Sequence, residues 1–554
     1  MGDHNDHAED GRHCIVVGGG LGGLATAIAA AERGLRVTIL EAAEKVGGAA
    51  AYSAGVVWSP ANHVMLREGV QDSVENAATF VQATADRYPE LLDEAAMDRF
   101  LTTSPRAIQY FEDLGVVEWK IIPAMPDSHS DAPGWTEYGR YLSAVFDVDL
   151  LGEWRAKLRH TPHFPYQTNY WEIHQNTGST PAALTPTSES GTTVAAHDPP
   201  GPKHGQAPNL LGFGTGVVAN FLHYASRRRD ITIRLEHRVR NLLFEDGLVT
   251  GVEADTPSGP RTFRGKVVLA TSGFDWDRSL VKRFTGFDPE DVGSMAPPTN
   301  RGDGFRLAAS AGADLIQFPA RSAPYIPGYF SKKEGAFLGR EEYTYPHTFI
   351  VNARGERFCD DSYYGALAWE ALSPEAHHFP IYMIWDEEHH RRYGGVGAEP
   401  GGTYEEGIVE SAATMRELAV KLGIDGDRLE RTAEEFNGPA ATAADPRFGR
   451  GSDPYVRRFY GDPAHELHPN IAPVATPPFF GMRLRLNMVS ISMTGVRTDP
   501  DGRVLNLDGR AVPNLYAVGA AAAFTATGTG YQGGFSLGRA LTMGLTVAEC
   551  ASKD

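Results

Sequence analysis

Hydrophobic and polar positions alternate with distinct periods along this chain. Cys14–Val17 is a short continuous apolar run, Leu24–Ala31 is apolar and alanine-rich, and Val37–Leu40 is a second apolar run that stops at Glu41. Short unbroken runs suit strands buried on both faces of a parallel sheet. With Gly18–Gly23 between the first two segments, residues 13–41 predict strand, glycine turn, helix and strand. Residues 71–115 carry apolar positions about every fourth residue, from Val74, Phe80 and Val81 to Ile108, Phe111 and Leu114, and predict helices. A helix ending near Arg227–Arg229 leads to Ile231–Val239, an alternating strand, then Val249–Ala254 and Arg261–Ala270, which complete a meander. A helix starts after Arg301, and Pro346–Cys359 reads as strand, Asn-Ala-Arg-Gly turn, strand. Near the end come a hairpin over Arg497–Asn506, an apolar strand over Asn514–Gly519, and a glycine turn, Gly528–Gly538, opening a last helix, Arg539–Cys550. Residues 120–205 lack periodicity, and Thr177–Pro202, rich in Ser, Thr, Pro and Gly, reads as a loop. A long irregular segment of this kind suits a lid.

The order predicts an α/β fold: a Rossmann-like, glutathione-reductase-type dinucleotide-binding domain with an inserted α+β capping domain. Residues 1–12 form a polar tail, 13–298 the first part of the binding domain including the 120–205 lid, 299–473 the cap, and 474–554 the return to the binding domain.

Composition narrows the partners. With 51 Lys and Arg against 70 Asp and Glu, the net charge of −19 argues against nucleic acid and anionic membrane. Cys14, Cys359 and Cys550 have neither metal spacing nor a disulfide framework, which suits a reducing compartment. The first residues lack the basic and apolar regions of a signal peptide, and no apolar run reaches membrane-spanning length, so a cytoplasmic location is expected. No H-E-x-x-H or C-x-x-C pattern occurs, and no catalytic metal is expected.

Gly18-Gly19-Gly20-Leu21-Gly22-Gly23 fits G-x-G-x-x-G. Gly18 permits the tight turn, Gly20 lets the backbone approach a pyrophosphate, and Gly23 lets helix and strand pack closely. The helix N-terminus at Leu21 and Gly22 directs N–H groups and partial positive charge at the phosphates. Glu41, followed by Ala42, is placed to accept from both ribose hydroxyls and disfavours a 2′-phosphate. Gly47 and Gly48 form a second glycine pair for the same pyrophosphate. The small residues Ala49, Ala50, Ser53, Ala54 and Gly55 suit a flat ring, and no histidine stands among them. These features favour FAD, held non-covalently. Val239, Ser272, Gly273, Asp303 and Gly519 complete the expected contacts, and the turn before Ser536 and Leu537 offers N–H groups to the pyrimidine oxygens.

The motifs GGGLGG with Glu41, GGAAAYSAGVVW, TNRGDGFRLAASAGA, FIVNARGERFCDDSYYG, GRVLNLDGRAVPNLYAVG and GYQGGFSLG, in this order, cover nearly the whole chain. They resemble the FAD-dependent fumarate reductase/3-ketosteroid dehydrogenase superfamily. Its dicarboxylate reductases carry an arginine before the final glycine pair. Here Tyr531 and Gln532 precede Gly533 and Gly534 with no arginine among them, and a tyrosine there looks like the ketosteroid dehydrogenases. The ungapped G-Y-x-x-G-x-S-L-G is closer to the 4-dehydrogenases. The resemblance implies that Tyr531 and the Gly534 N–H grip a substrate carbonyl. It also implies that Tyr363 or Tyr364, both placed after the R-F-x-x-[ED] block, abstracts the α-proton. Where the 1-dehydrogenases carry a third tyrosine after a Pro-Asp pair, Pro126-Asp127 is followed by Ser128 and His129.

Two aimed donors, each worth about 3 kcal/mol, make such an α-proton acidic by stabilising the enolate. A tyrosinate, with a reference pKa of about 10, can then take it while the flavin takes the β-hydride. The expected activity is desaturation of a ketosteroid or smaller cyclic ketone beside its carbonyl, with a quinone, dye or oxygen as external acceptor. A flavin-dependent reductase of an activated C=C bond and a non-catalytic flavin-binding protein are the alternatives. His129, His389 and His390 read as surface residues, and Asp360 and Asp361 as caps or partners of Arg357.

Overall fold

The structure, a computed structural model, describes residues 12–164, 167–177, 209–339, 342–373 and 375–553. Strand β1 (His13–Val17), helix α1 (Leu21–Ala31) and strand β2 (Arg36–Leu40) form where the apolar pattern placed them. They belong to a six-stranded sheet in the order Arg503–Leu505, Ala511–Ala517, Lys266–Leu269, β1, β2, Ile231–Arg234. All neighbours are parallel except the first pair. Side chains alternate across it as pleating requires. Cys14 and Val16 bury against α1 and the C-terminal helix Phe535–Ala551, whereas Ile15 and Val17 join Leu242, Val249 and Val252 of a three-stranded antiparallel sheet.

Two expected strands each divide between these sheets. Ile231–Arg234 pairs with β2, while Arg238–Glu245 enters the antiparallel sheet. Arg261–Arg264 stays in that sheet and Lys266–Leu269 pairs with β1. The break falls at Gly265, whose φ is +149° and whose added Cβ would lie 2.5 Å from the His13 carbonyl oxygen. Residues 71–115 give helices Val74–Thr84 and Glu94–Asp113, capped by Ser73 and Asp93.

The cap is built on a seven-stranded sheet around Phe479–Met488. This strand alternates, and its Phe480, Met482, Leu484 and Leu486 bury with Ile381, Met383 and Trp385. The chain joins this sheet at Val292–Ser294 and leaves it after Met488. The second strand expected within Pro346–Cys359 is absent. The Asp361 carboxylate instead accepts from the Ile350 N–H at 2.6 Å and pairs with Arg357 at 2.9 Å, so a side chain takes the place of a ladder partner. The irregular 120–177 stretch contains short strands, among them Tyr141–Ser143, and a helix, Tyr170–Thr177. The expected loop beyond Thr177 and the N-terminal tail up to residue 11 lie outside the described residues. No helix among the described residues is long and apolar enough to cross a membrane.

A Cβ added to Gly23 would lie 2.0 Å from the Gly18 carbonyl oxygen, so α1 and its own turn leave no room for a methyl. Gly23→Ala is expected to cost about 1–3 kcal/mol, the range for overpacking. Chemical denaturation measures this, and parental stability would contradict the packing argument.

Candidate active site

A cavity of about 370 Å³ runs from the β1 turn to the cap. The pyrophosphate turn opens it. Gly18, at φ +113°, would place a Cβ 2.4 Å from the Ala270 carbonyl oxygen, so the turn itself demands glycine. Gly20 differs: its φ is −79° and an added Cβ meets nothing within 3.9 Å. Protein packing gives no reason for glycine there. The space kept clear is the cavity, as a ligand phosphate at a helix N-terminus requires.

Leu21, Gly22, Ala42, Gly48, Ala49 and Ala50 line the same end. Glu41 lines it too, with both carboxylate oxygens engaged: Oε2 accepts from Gly19 N–H at 2.8 Å and Oε1 from Ala43 N–H at 2.9 Å. Burial raises its pKa against those two donors. A carboxylate has about four lone-pair sites, so capacity for ribose hydroxyls remains. Ser53, Ala54, Gly55, Val239, Ser272 and Asp303 also face the cavity, Asp303 accepting from Arg238 at 2.9 Å. So do Gly519, Ser536 and Leu537.

Three expected cofactor residues do not line the cavity. Gly23 packs on Gly18; Gly47 donates its N–H to the Gly19 carbonyl at 2.9 Å; Gly273 accepts from Gly302 N–H at 3.0 Å. Each shapes the wall through backbone contact.

The wall also carries groups that the sequence reading missed. Asn300 and Ser490 line it, with Asn300 donating to the Ser490 hydroxyl at 2.6 Å. Behind them Asp275 accepts from Ser490 N–H at 2.7 Å, and burial pushes its carboxyl up to about 6. Thr271 Oγ1 and Asn300 Oδ1 are buried without a protein partner on this wall. Buried acceptors left so are costly unless a ligand supplies donors. Hydroxyl-bearing dinucleotide chains do, so the residues present fit FAD.

At the far end, Tyr364, Tyr455, Tyr460, Tyr531 and Gly534 line the cavity. Tyr363 does not; it is the N-cap residue of helix Tyr364–Ala371 and lies against Tyr364, ring centroids 4.7 Å apart and planes tilted by 53°. The two hydroxyls are hydrogen-bonded, and Ser128 bonds to Tyr363. Tyr455 and Tyr460 come from the short helix Pro454–Phe459 and its end, their centroids 6.4 Å and 5.8 Å from that of Tyr363. Burial raises all three expected phenols: Tyr364 well above its ordinary value, with Tyr363 and Tyr455 adding to the effect, Tyr363 against its hydrogen bonds, and Tyr531 with Tyr363 adding. The turn carrying Tyr531 is pinned from below. Gly534, at φ +81°, accepts from Trp58 N–H at 3.2 Å.

The segment after Pro126 lies behind this end, Ser128 meeting Gln532. Asp127 accepts from Trp58 Nε1 and from Arg140, both at 2.8 Å, and Arg140 also holds Asp72 through two bonds of 2.8 Å. Burial pushes the Asp127 carboxyl up against these partners; Asp72 stays below its ordinary value because Arg140 and Asn76 outweigh its burial. His129 is half-buried, its ring bonded to the Tyr531 backbone. His389 and His390 are buried, not on the surface. The helix Glu387–Tyr393 turns them inward to the Pro346 carbonyl and the Tyr404 hydroxyl, and burial pushes His389 down to about 3.

A glycine turn and a cavity of this kind define a dinucleotide-binding flavoprotein, and the chain belongs to the FAD binding domain family, whose pattern matches residues 13–538. A 4-oxocyclohexanecarboxylate 2-dehydrogenase of Sinomonas cyclohexanicum is 31% identical over 96% of this chain and 91% of its own. A 3-oxosteroid 1-dehydrogenase of Mycobacterium tuberculosis is 28% identical over 96% of this chain and 97% of its own. The 3-ketosteroid Δ1-dehydrogenase structure from Sterolibacterium denitrificans superposes with a TM-score of 0.82 at 24% identity, covering 98% of this chain and 100% of that one; it shares the fold. The chain is an FAD-dependent oxidoreductase.

Gly20→Ala should fold as the parent does, given the open space and ordinary φ, yet bind FAD at least about tenfold more weakly, a loss of about 1.4 kcal/mol. Fluorescence titration of apoprotein with FAD reads this, and unchanged affinity would remove Gly20 from the cofactor site.

Proposed function

We propose that this enzyme introduces a C=C bond beside the carbonyl of a ring ketone, a ketosteroid or a smaller cyclic ketone, and passes the electrons to an external acceptor. The observation that supports this most is the meeting of Tyr364, Tyr531 and Gly534 on one cavity that the two glycine turns also line. Both relatives reported above carry a ring ketone in the names of their reactions.

In this reading Tyr531 Oη donates to the ketone oxygen, and the Gly534 N–H is the second donor. The high pKa of Tyr531 keeps it a donor through the neutral range. Tyr364, facing the cavity, takes the α-proton at Oη. Tyr363 stands behind it, outside the cavity, which favours Tyr364 of the two tyrosines left open by the sequence. FAD, when bound, supplies the hydride acceptor. Met125, Phe164 and Tyr170 line the same cavity and exclude water from the reacting carbons.

A neutral phenol is a poor base, so rate should follow the ionised fraction of Tyr364. Because burial raises that phenol, kcat/KM should climb about tenfold per pH unit across the neutral and mildly alkaline range. Tyr364→Phe should flatten the rise and lower turnover by about 100-fold or more, as should loss of the donor in Tyr531→Phe for turnover alone. The assay is anaerobic bleaching of the flavin by saturated steroid and monocyclic ketones, followed by dye-coupled turnover. Reoxidation of reduced enzyme by enones, with no ketone ever bleaching it, would overturn the desaturase reading.

A further inference from the structure

Arg140, Arg357, Arg450 and Arg539 are all buried. The first three hold carboxylates: Arg140 holds Asp72 and Asp127, Arg357 holds Asp361 and Asp445, and Arg450 holds Asp361. Arg539, on the last helix Phe535–Ala551, holds none among the described residues, and no charged group among them acts on it. It is 2% exposed. Its Nη2 donates to the Ala523 carbonyl at 2.8 Å and meets the Met543 sulfur at 3.5 Å. Its Cζ lies 3.9 Å from the centroid of the Phe524 ring. Nε and Nη1 are buried without a partner among the described residues. Burial pushes the guanidinium down to about 9, which leaves it charged at neutral pH.

A buried charge without a partner is costly, and packing alone gives no reason to keep one. The surroundings give a reason. Ser536, Leu537 and Ala540 of the same helix line the cavity. So do Val518, Gly519 and Ala520, a few residues before the carbonyl that holds the guanidinium. Arg539 itself does not line the cavity; it stands behind the wall where the last helix begins. That wall is the one expected to meet the pyrimidine oxygens of the flavin. A carboxylate beside an arginine cancels its field. Here the field is left whole, and a dry interior screens it little. The positive end of the helix adds the same sign.

We propose that Arg539 is a resident counter-charge for the electrons that bound FAD accepts, and that it makes the cofactor easier to reduce. A hydride carries two electrons and one proton, so its arrival adds one negative charge at the cofactor. The hydride donor is oxidised, and the two electrons later leave to the external acceptor. Arg539 has no opposite charge near it before this step and has one after it, which favours the reduced side. It acts through its field and touches neither cofactor nor substrate. A readily reduced cofactor suits a donor whose carbon–hydrogen bonds yield a hydride reluctantly. The inference rests on FAD and on the placing of its ring, not on which compound is oxidised.

The test is the reduction potential of the FAD-loaded parent, Arg539→Met and Arg539→Lys. Each is equilibrated with a reference dye while xanthine and xanthine oxidase supply electrons. Arg539→Met removes the charge and keeps an unbranched side chain. Its flavin should shift at least about tenfold toward the oxidised form, about 30 mV lower for a two-electron couple. Arg539→Lys restores a charge and should recover more than half of the shift. Arg539→Gln, which keeps a donor for the Ala523 carbonyl, replaces the methionine variant where that fails to fold. A parental potential in the neutral variant overturns the proposal. So does an equal fall in the neutral and lysine variants, which would be lost packing and not lost charge. Weaker binding of oxidised FAD at an unchanged potential would assign the charge to the pyrophosphate and also overturn it. No ketone enters these measurements, so their outcome is separate from that of the desaturase reading.

Discussion

The last helix touches the strand Val57–Trp58 backbone to backbone, and the site exists because of that contact. An added Cβ at Gly534 would lie 2.7 Å from Trp58 N, and one at Gly538 would lie 2.4 Å from Trp58 O. Only glycines permit such an approach without displacing one chain. The contact joins residues far apart in sequence. Ser53–Gly55 lie just before Trp58, and Tyr531–Gly534 lie just before the helix, so both reach one cavity. Trp58 also donates to Asp127, which extends the same contact to the segment that carries Ser128.

The glycine turns were legible in sequence because their reason is local. A tight turn, a helix start and a buried strand leave their marks within thirty residues, and Gly18–Glu41 carries all of them. Tyr364 and Tyr531 were legible through resemblance, but the choice between Tyr363 and Tyr364 was not. Adjacent residues at a helix start point different ways, and only the packing of Tyr364–Ala371 says which meets the cavity.

Tyr455 and Tyr460 were missed for a related reason. Their helix is six residues long, and its apolar pattern is too short to show a face. The only mark was a concentration of tyrosine beside Asp453. The false second strand after Gly355 failed because a carboxylate, Asp361, supplies the hydrogen bond that a strand would have made. Strand propensity registers backbone partners and is blind to this substitution.

Arg140, closed on both sides by Asp72 and Asp127 with no side-chain exposure, has a mechanical meaning. Charges so enclosed part only at high cost, so the segment carrying Ser128 moves as one body with the floor beneath Tyr531 and Gly534. Tyr364, Tyr455 and Tyr460 line the same cavity from Tyr364–Ala371 and from the helix Pro454–Phe459 and its end. On the mechanism proposed above, the grip on oxygen and the removal of hydrogen then sit on different elements, and only a ring ketone whose shape spans the gap between them is oxidised.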